Sequence, residues 1–223
     1  MKPNARPSSK ATEPPPGDAY VQSFARGLSV IRCFSASNPK LTLSEVARLA
    51  ELTRAGARRI LLTLQTLGYV RLSGRDFSLT PKILDLGFAY LSSLPLWNLA
   101  EPAMESLVQT VKESSSAAVL DGLDIVYVLR IPTHKIMSIN LGVGSRLPAW
   151  CTSMGRVLLA ALSDEEITQA LHASIIEAIT PHTVTDYNAL FAQIQLVREQ
   201  GWSLVDQELE VGLVSIAAPI TDR

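Results

Sequence analysis

The sequence predicts an α+β protein, with a winged helix-turn-helix domain over residues 20–82, a linker helix over 83–97 and a second α+β domain over 98–223. Three observations lead there. Between residues 23 and 79 the patterns run helix, helix, short turn, helix, hairpin, which is the order of a winged helix-turn-helix. Beyond residue 98, strand patterns joined by tight turns alternate with helical ones, as in an α+β domain on a mainly antiparallel sheet. Charge divides the chain at the same place. Residues 20–82 carry ten Lys and Arg against three Asp and Glu, net +7, whereas residues 83–223 carry seven against sixteen, net -9, inside a total of only -1. A basic module followed by an acidic one suits a nucleic-acid reader with a separate second domain.

Each element of the basic module has its own signal. Phe24, Leu28, Ile31 and Phe34 recur at helical spacing and predict a helix over residues 23–34 with one buried face. Asn38-Pro39 closes it, because the residue before proline is pushed out of the helical region. Thr42, with Glu45 three residues later, makes a capping-box pattern that opens a short helix through Ala50. Thr53 then caps a longer helix that runs to Leu67 and ends on Gly68 in a left-handed cap. YVRLS, the turn GRD and FSL follow as a hairpin with Gly74 in its loop.

In the longer helix, Ala57, Ile60, Leu61, Leu64 and Leu67 form the buried stripe. Arg54 and Arg58, four residues apart, share a face that points away from it, with Arg59 alongside. The N-terminal part of such a helix enters the major groove, and a guanidinium with five fixed donors can grip phosphate or read guanine. Ala55 and Gly56 are small enough to permit close approach. Thr53, Arg54, Ala55, Arg58, Arg59 and, as a phosphate contact on the wing, Arg75 are therefore the candidate DNA-binding residues. An arginine-rich helix can be merely solvated, and a winged helix can serve protein contacts. The agreement of charge, spacing and hairpin favours double-stranded DNA as the partner.

In the second half, residues 83–94 of the linker predict the connecting helix and residues 98–114 another, with Leu99, Ala103, Leu107 and Val111 in register. Strands are expected at SSAAVL, DIVYVLRI and KIMSINL, the first two joined by Asp121-Gly122. The loop GVGSRLPAW leads into a helix starting near Thr152 or Ser153. A capped helix from Ser163, a last helix stopped by Gly201, and strands at WSLVD and LVSIAAPI complete the chain. Helix N-termini carry free backbone N–H groups and a positive dipole end, so the start near Thr152 and Ser153 suits a carboxylate, to which Arg146 could add charge.

Composition excludes several classes. No stretch of ~20 uninterrupted apolar residues exists, so no membrane span is expected. Residues 1–19 lack the apolar run of a secretory signal and, rich in Pro, Ser and charge, read as a disordered tail. Cys33 and Cys151 are too few for a disulfide framework and lack metal-ligand spacing, which points to a reducing cytoplasm and to no metal or other cofactor. A cysteine-dependent hydrolase or transferase would need Cys151 as nucleophile with His134, His172 or His182 as base. No cysteine motif surrounds it, and no Walker loop, zinc spacing or carboxylate pair occurs, so the chain does not read as an enzyme.

FARGLSVIRCF, LTLSEVARL, LTRAGARRILLTLQTLGYV and the wing before LTPKILDLG resemble the N-terminal domain of IclR-type transcriptional regulators. SSSAAVLDGLDIVYVLRI, LGVGSRLPAWCTSMGRVLLA, TPHTVTD and GWSLVDQELEVGLVSIAAP resemble that family's GAF-like effector domain. YVQSFARGLSVI and DQELEVGL are most similar to the subgroup with PcaR, PcaU and PobR, regulators of protocatechuate and 4-hydroxybenzoate breakdown through the β-ketoadipate pathway. The resemblance implies a regulator that binds promoter DNA as a homodimer or dimer of dimers and responds to a small carboxylic acid. It places Leu147, Ser153, Met154, Asp206 and Ser215 around the effector, with Cys151, Thr152 and Val205 as neighbours. Two departures stand out. Glu51 occupies the helix-turn-helix turn where the family commonly has glycine, and the sequence ends at ITDR where the family continues with a serine-bearing strand and a final helix. The resemblance therefore implies an open sheet edge and an incomplete pocket.

Overall fold

The structure, a computed structural model, describes residues 17, 19–93, 96–133 and 141–221. The expected disordered tail therefore lies almost wholly outside the described residues, as does nearly all of the strand expected at KIMSINL. The chain divides into two units at residues 94 and 95.

In the first unit, α1 (Gln22–Arg32) is followed by a two-residue strand β1 (Leu41–Thr42), then α2 (Leu43–Leu49) and α3 (Arg54–Thr66). Thr42 makes the capping box with Glu45, and Thr53 caps α3 by accepting from the Gly56 N–H at 3.1 Å, both at the expected places. The wing consists of β2 (Val70–Ser73) and β3 (Asp76–Leu79), joined through Gly74 at φ 63°. The third wing strand, β1, was not expected. It pairs with β3 to give an antiparallel sheet in the order β1-β3-β2. Val30, Val46, Ala57, Leu61, Leu64, Val70 and Phe77 form the core. Each large side chain buried there contributes about 1.5–3 kcal/mol.

Two apolar faces differ from expectation. On α1, Val30 is the buried residue, Ile31 is half-buried, and Phe24 (68% exposed) and Leu28 lie on the exposed side, while Phe34, also half-buried, falls beyond the end of the helix. On α3, Leu67 leaves the stripe as the C-cap and is exposed, while Gly68 takes the expected left-handed φ of 84°. Thr80 Oγ1 donates to the Gly68 carbonyl and Lys82 Nζ to the Leu67 carbonyl at 2.9 Å, so the chain leaving the wing closes the end of α3. A 3-10 turn (Pro81–Ile83) and α4 (Leu84–Ser92) complete the unit.

Glu51 adopts φ 54° in the turn between α2 and α3. A side chain in this left-handed region costs roughly 1–2 kcal/mol, against about 0.5–1 kcal/mol of extra chain entropy for glycine. Glu51→Gly is therefore expected to raise the stability of the first unit by up to about 1 kcal/mol. Its melting temperature would rise by a few degrees, and a fall would show that the side chain makes a compensating contact.

The second unit begins with α5 (Leu96–Val111), two residues before the expected start. Its predicted apolar row faces outward: Leu99 is 77% exposed and Leu107 and Val111 are about half exposed, while Met104 and Val108 are the half-buried positions. Two apolar rows run along this helix, and packing chose the other one. β4 (Ser115–Asp121) and β5 (Asp124–Ile131) form an antiparallel hairpin through Gly122 at φ 64°, and β6 (Arg146–Pro148) adds to β5 within the segment expected to be loop.

Next come α6 (Ser153–Ala160), α7 (Asp164–Ala173) and α8 (Tyr187–Gln200), then the antiparallel pair β7 (Ser203–Asp206) and β8 (Val214–Ala217). Ser163 and Glu166 make a capping box for α7, Asp186 caps α8, and Gly201 ends it at φ 78°. Arg198 joins the three helices. It donates to the carbonyls of Ala160 and Leu162 at the end of α6 and to Asp164 Oδ1 at the start of α7. Ile125, Trp150, Cys151, Leu159, Ile167, Leu171, Leu190 and Ile194 are buried at the centre.

Candidate nucleic-acid interface and effector site

Cap geometry and apolar phase together present the cations of α3. Ala57, Leu61 and Leu64 turn inward, so Thr53, Arg54, Ala55, Arg58 and Arg59 all lie on the exposed side. Arg75 is exposed at the tip of the wing hairpin. None of these four arginines forms an ion pair with another described residue. Gly56 has a structural role as well, since a Cβ there would meet the Thr53 cap hydroxyl at 3.1 Å.

The effector candidates gather around the start of α6. The segment from Pro148 to Thr152 folds tightly beneath that helix. Thr152 Oγ1 donates to the Pro148 carbonyl at 3.1 Å and accepts from the Gly155 N–H at 3.2 Å, so its hydroxyl serves as a cap. Ser153 is buried in the first turn, and no described residue hydrogen-bonds its hydroxyl. Met154 and Leu147 are half-buried against the core. α6 packs on both β7 and β8. There Val205 is buried, and Ser215 lies directly opposite it. Asp206 alternates to the other face of the hairpin and is exposed, apart from the others. Arg146 is already engaged on the surface, donating to Asp124 Oδ2 at 3.1 Å and to the Asp121 carboxylate and carbonyl.

Cys151 is fully buried, and burial pushes its thiol up to about 12, so it stays protonated at neutral pH. No imidazole activates it among the described residues. His172 stacks on Tyr187 at 5.1 Å between ring centroids, and His134 lies outside the described residues. Such a thiol is a packing residue rather than a nucleophile.

The feature that reading by motif missed is a buried ion pair. Arg156 (3% exposed) donates to Glu208 Oε2 (residue 5% exposed) at 2.7 Å and to the Trp150 carbonyl at 3.0 Å. The same carboxylate oxygen accepts from the Val184 N–H at 3.1 Å, while Thr183 Oγ1 donates to the Glu208 carbonyl at 2.7 Å. Start of α6, segment 180–184 and turn after β7 thus share one polar centre. A lone arginine inside the apolar run SMGRVLLAAL was the available signal.

Comparison with known proteins agrees with this architecture. Residues 23–74 match the IclR helix-turn-helix domain, and residues 88–223 match the bacterial transcriptional regulator IclR C-terminal domain. The Pca regulon regulatory protein of Pseudomonas putida is 45% identical over 98% of this chain and 80% of its own length. Among solved structures, a transcriptional regulator from Rhodococcus sp. RHA1 shares 54% identity with a TM-score of 0.80, covering 91% of this chain and 81% of that one. An IclR homologue from Microbacterium hydrocarbonoxydans, solved with 4-hydroxybenzoate, shares 26% identity with a TM-score of 0.79 over 90% of this chain and 83% of its own. By both of its domains, the chain belongs to the IclR family of DNA-binding transcriptional regulators.

Proposed function

We propose that this regulator responds to a small aromatic carboxylic acid bound at the start of α6, and thereby controls genes for aromatic acid breakdown in the cytoplasm. The observation that carries the reading is the unengaged Ser153 hydroxyl in the first turn of a helix whose cap, Thr152, is already committed to Gly155. Backbone N–H groups and the positive dipole end favour a carboxylate there. Leu147, Cys151, Met154, Val205 and Ser215 supply the apolar and hydroxyl surroundings that a ring needs. Asp206 faces elsewhere in the described unit and has the weakest claim to the site. The Microbacterium homologue, solved with 4-hydroxybenzoate, and the Pseudomonas relative's name support this class of effector. Control requires that the acid favour one arrangement of a homodimer or dimer of dimers over another, since equal affinity for both shifts nothing.

A thermal-shift screen of aromatic and dicarboxylic acids tests the reading. An aromatic acid such as 4-hydroxybenzoate should stabilise the protein, and Ser153→Ala should weaken that response while leaving DNA binding nearly intact. Silence of every acid, with stabilisation by a neutral or basic metabolite, would sink it.

On the DNA side, α3 is proposed to lie in the major groove with Arg54, Arg58 and Arg59 toward bases and phosphates and Arg75 on the backbone. Arg58→Ala should weaken operator binding by about 1–3 kcal/mol if Arg58 reads a base. A mobility-shift titration giving wild-type affinity would remove Arg58 from the interface.

A further inference from the structure

The wing sheet carries a second cationic feature that neither α3 nor the wing tip includes. Leu41 pairs with Phe77, which brings Lys40, one residue earlier, level with Ser78 on the central strand β3. Arg71 on β2 pairs with Ser78 from the other side. The three side chains therefore form one row across the sheet, Lys40–Ser78–Arg71, and they line an open cleft of about 420 Å³ together with Leu72, Ser73 and Asp76. Arg71 is held in place: its Nε donates to Ser78 Oγ at 3.1 Å, which leaves the two terminal nitrogens of the guanidinium without a described partner. Lys40 is exposed and forms no ion pair with a described residue. Among the described residues, Asp76 is the only carboxylate lining the cleft. It sits two residues nearer the wing tip, level with Thr42 and Ser73, so the cationic row is the part open to an anion.

We infer that this face of the wing is a DNA-backbone contact, in which Lys40 and the Ser78-anchored Arg71 each neutralise a phosphate, extending the interface beyond α3 and Arg75. The inference rests on the reading of the first unit as a DNA reader. One anchored and one unpaired cation beside serine hydroxyls, on a concave face with a net positive lining, match a phosphodiester chain, which offers charge at short regular intervals and no sequence information. Anchoring to Ser78 gives the guanidinium a fixed fork, the geometry in which arginine holds phosphate with two parallel donors.

Counterion release supplies a test that a purely structural role would not pass. Binding of the full chain to a random-sequence duplex, followed by fluorescence anisotropy at several salt concentrations, gives a slope of log K against log salt of about -0.9 per phosphate neutralised. The Lys40→Gln/Arg71→Gln variant should shorten that slope by about two contacts and weaken random and operator duplexes alike. Arg71→Lys, which keeps the charge, should retain most of the slope. An unchanged slope in the double variant, with an unchanged melting temperature, overturns the inference. So does an Arg71→Lys variant as impaired as Arg71→Gln, which would make the Ser78 bond structural. Failure of the wild type to bind any duplex would overturn the DNA-reader reading itself, and that result is distinct from a wild type that binds while the variants keep its slope.

Discussion

Gly155→Ala is expected to disrupt the second unit. An added Cβ at this position would stand 2.1 Å from the Ala149 carbonyl oxygen and 2.4 Å from its Cα, both backbone atoms of the segment folded beneath α6. Side chains can swing away from such an intrusion, but here helix and backbone would have to separate. That separation would break the Thr152 cap, whose hydroxyl bridges Pro148 and Gly155. Overpacking commonly costs about 1–3 kcal/mol and more where nothing can yield, so a loss of at least about 3 kcal/mol is expected, with the melting temperature of the unit falling by roughly 10 °C or more. Gly142→Ala is the control, because a Cβ there meets nothing within 4 Å. Equal melting temperatures for the two variants would mean that α6 does not sit this close to Ala149.

Glu208→Ala should cost a comparable amount by a different route. Removing the carboxylate leaves the Arg156 guanidinium buried without its counter-charge and takes away the acceptor of the Val184 N–H. Breaking a buried pair from one side typically costs about 3–5 kcal/mol, whereas replacing both partners with apolar residues of similar volume is often close to neutral. Arg156→Met and Glu208→Leu should therefore each be strongly destabilising in urea unfolding, and the double variant should recover most of the loss. Additive losses would show that the two side chains act independently. Because the pair joins the start of α6 to the turn after β7, the single variants should also impair binding at the proposed effector site, while DNA binding through the other unit is retained.

Local rules made the first unit legible. The capping box at Thr42, the cap at Thr53, the left-handed Gly68 and the Gly74 hairpin each depend on a few neighbouring residues, and each stands where its sequence signal put it. The inward phase of Ala57, Leu61 and Leu64 then forces Arg54, Arg58 and Arg59 outward. In the second unit, the cap at Ser163, the stop at Gly201 and the start near Thr152 were similarly readable, and with them the helix start on which the effector reading depends.

What escaped the sequence depends on partners far along the chain. Periodicity picked the row of Leu99, Ala103, Leu107 and Val111 on α5, yet Met104 and Val108 are the half-buried positions, because only packing against the sheet breaks the tie between two apolar rows. The strands β1 and β6 are too short to show a pattern, and exist because β3 and β5 offer them hydrogen-bonding edges. Arg146 looked free to meet an acid until folding set it beside Asp121 and Asp124. Local signals were enough for the cationic helix, since caps and periodicity act within a few residues, and the quoted motifs carried the resemblance to the family. Only the folded chain shows that Arg156 meets Glu208 fifty-two positions away and that Lys40 and Arg71 flank Ser78. Pairings of that kind are set by strand register and helix packing, which no local pattern encodes.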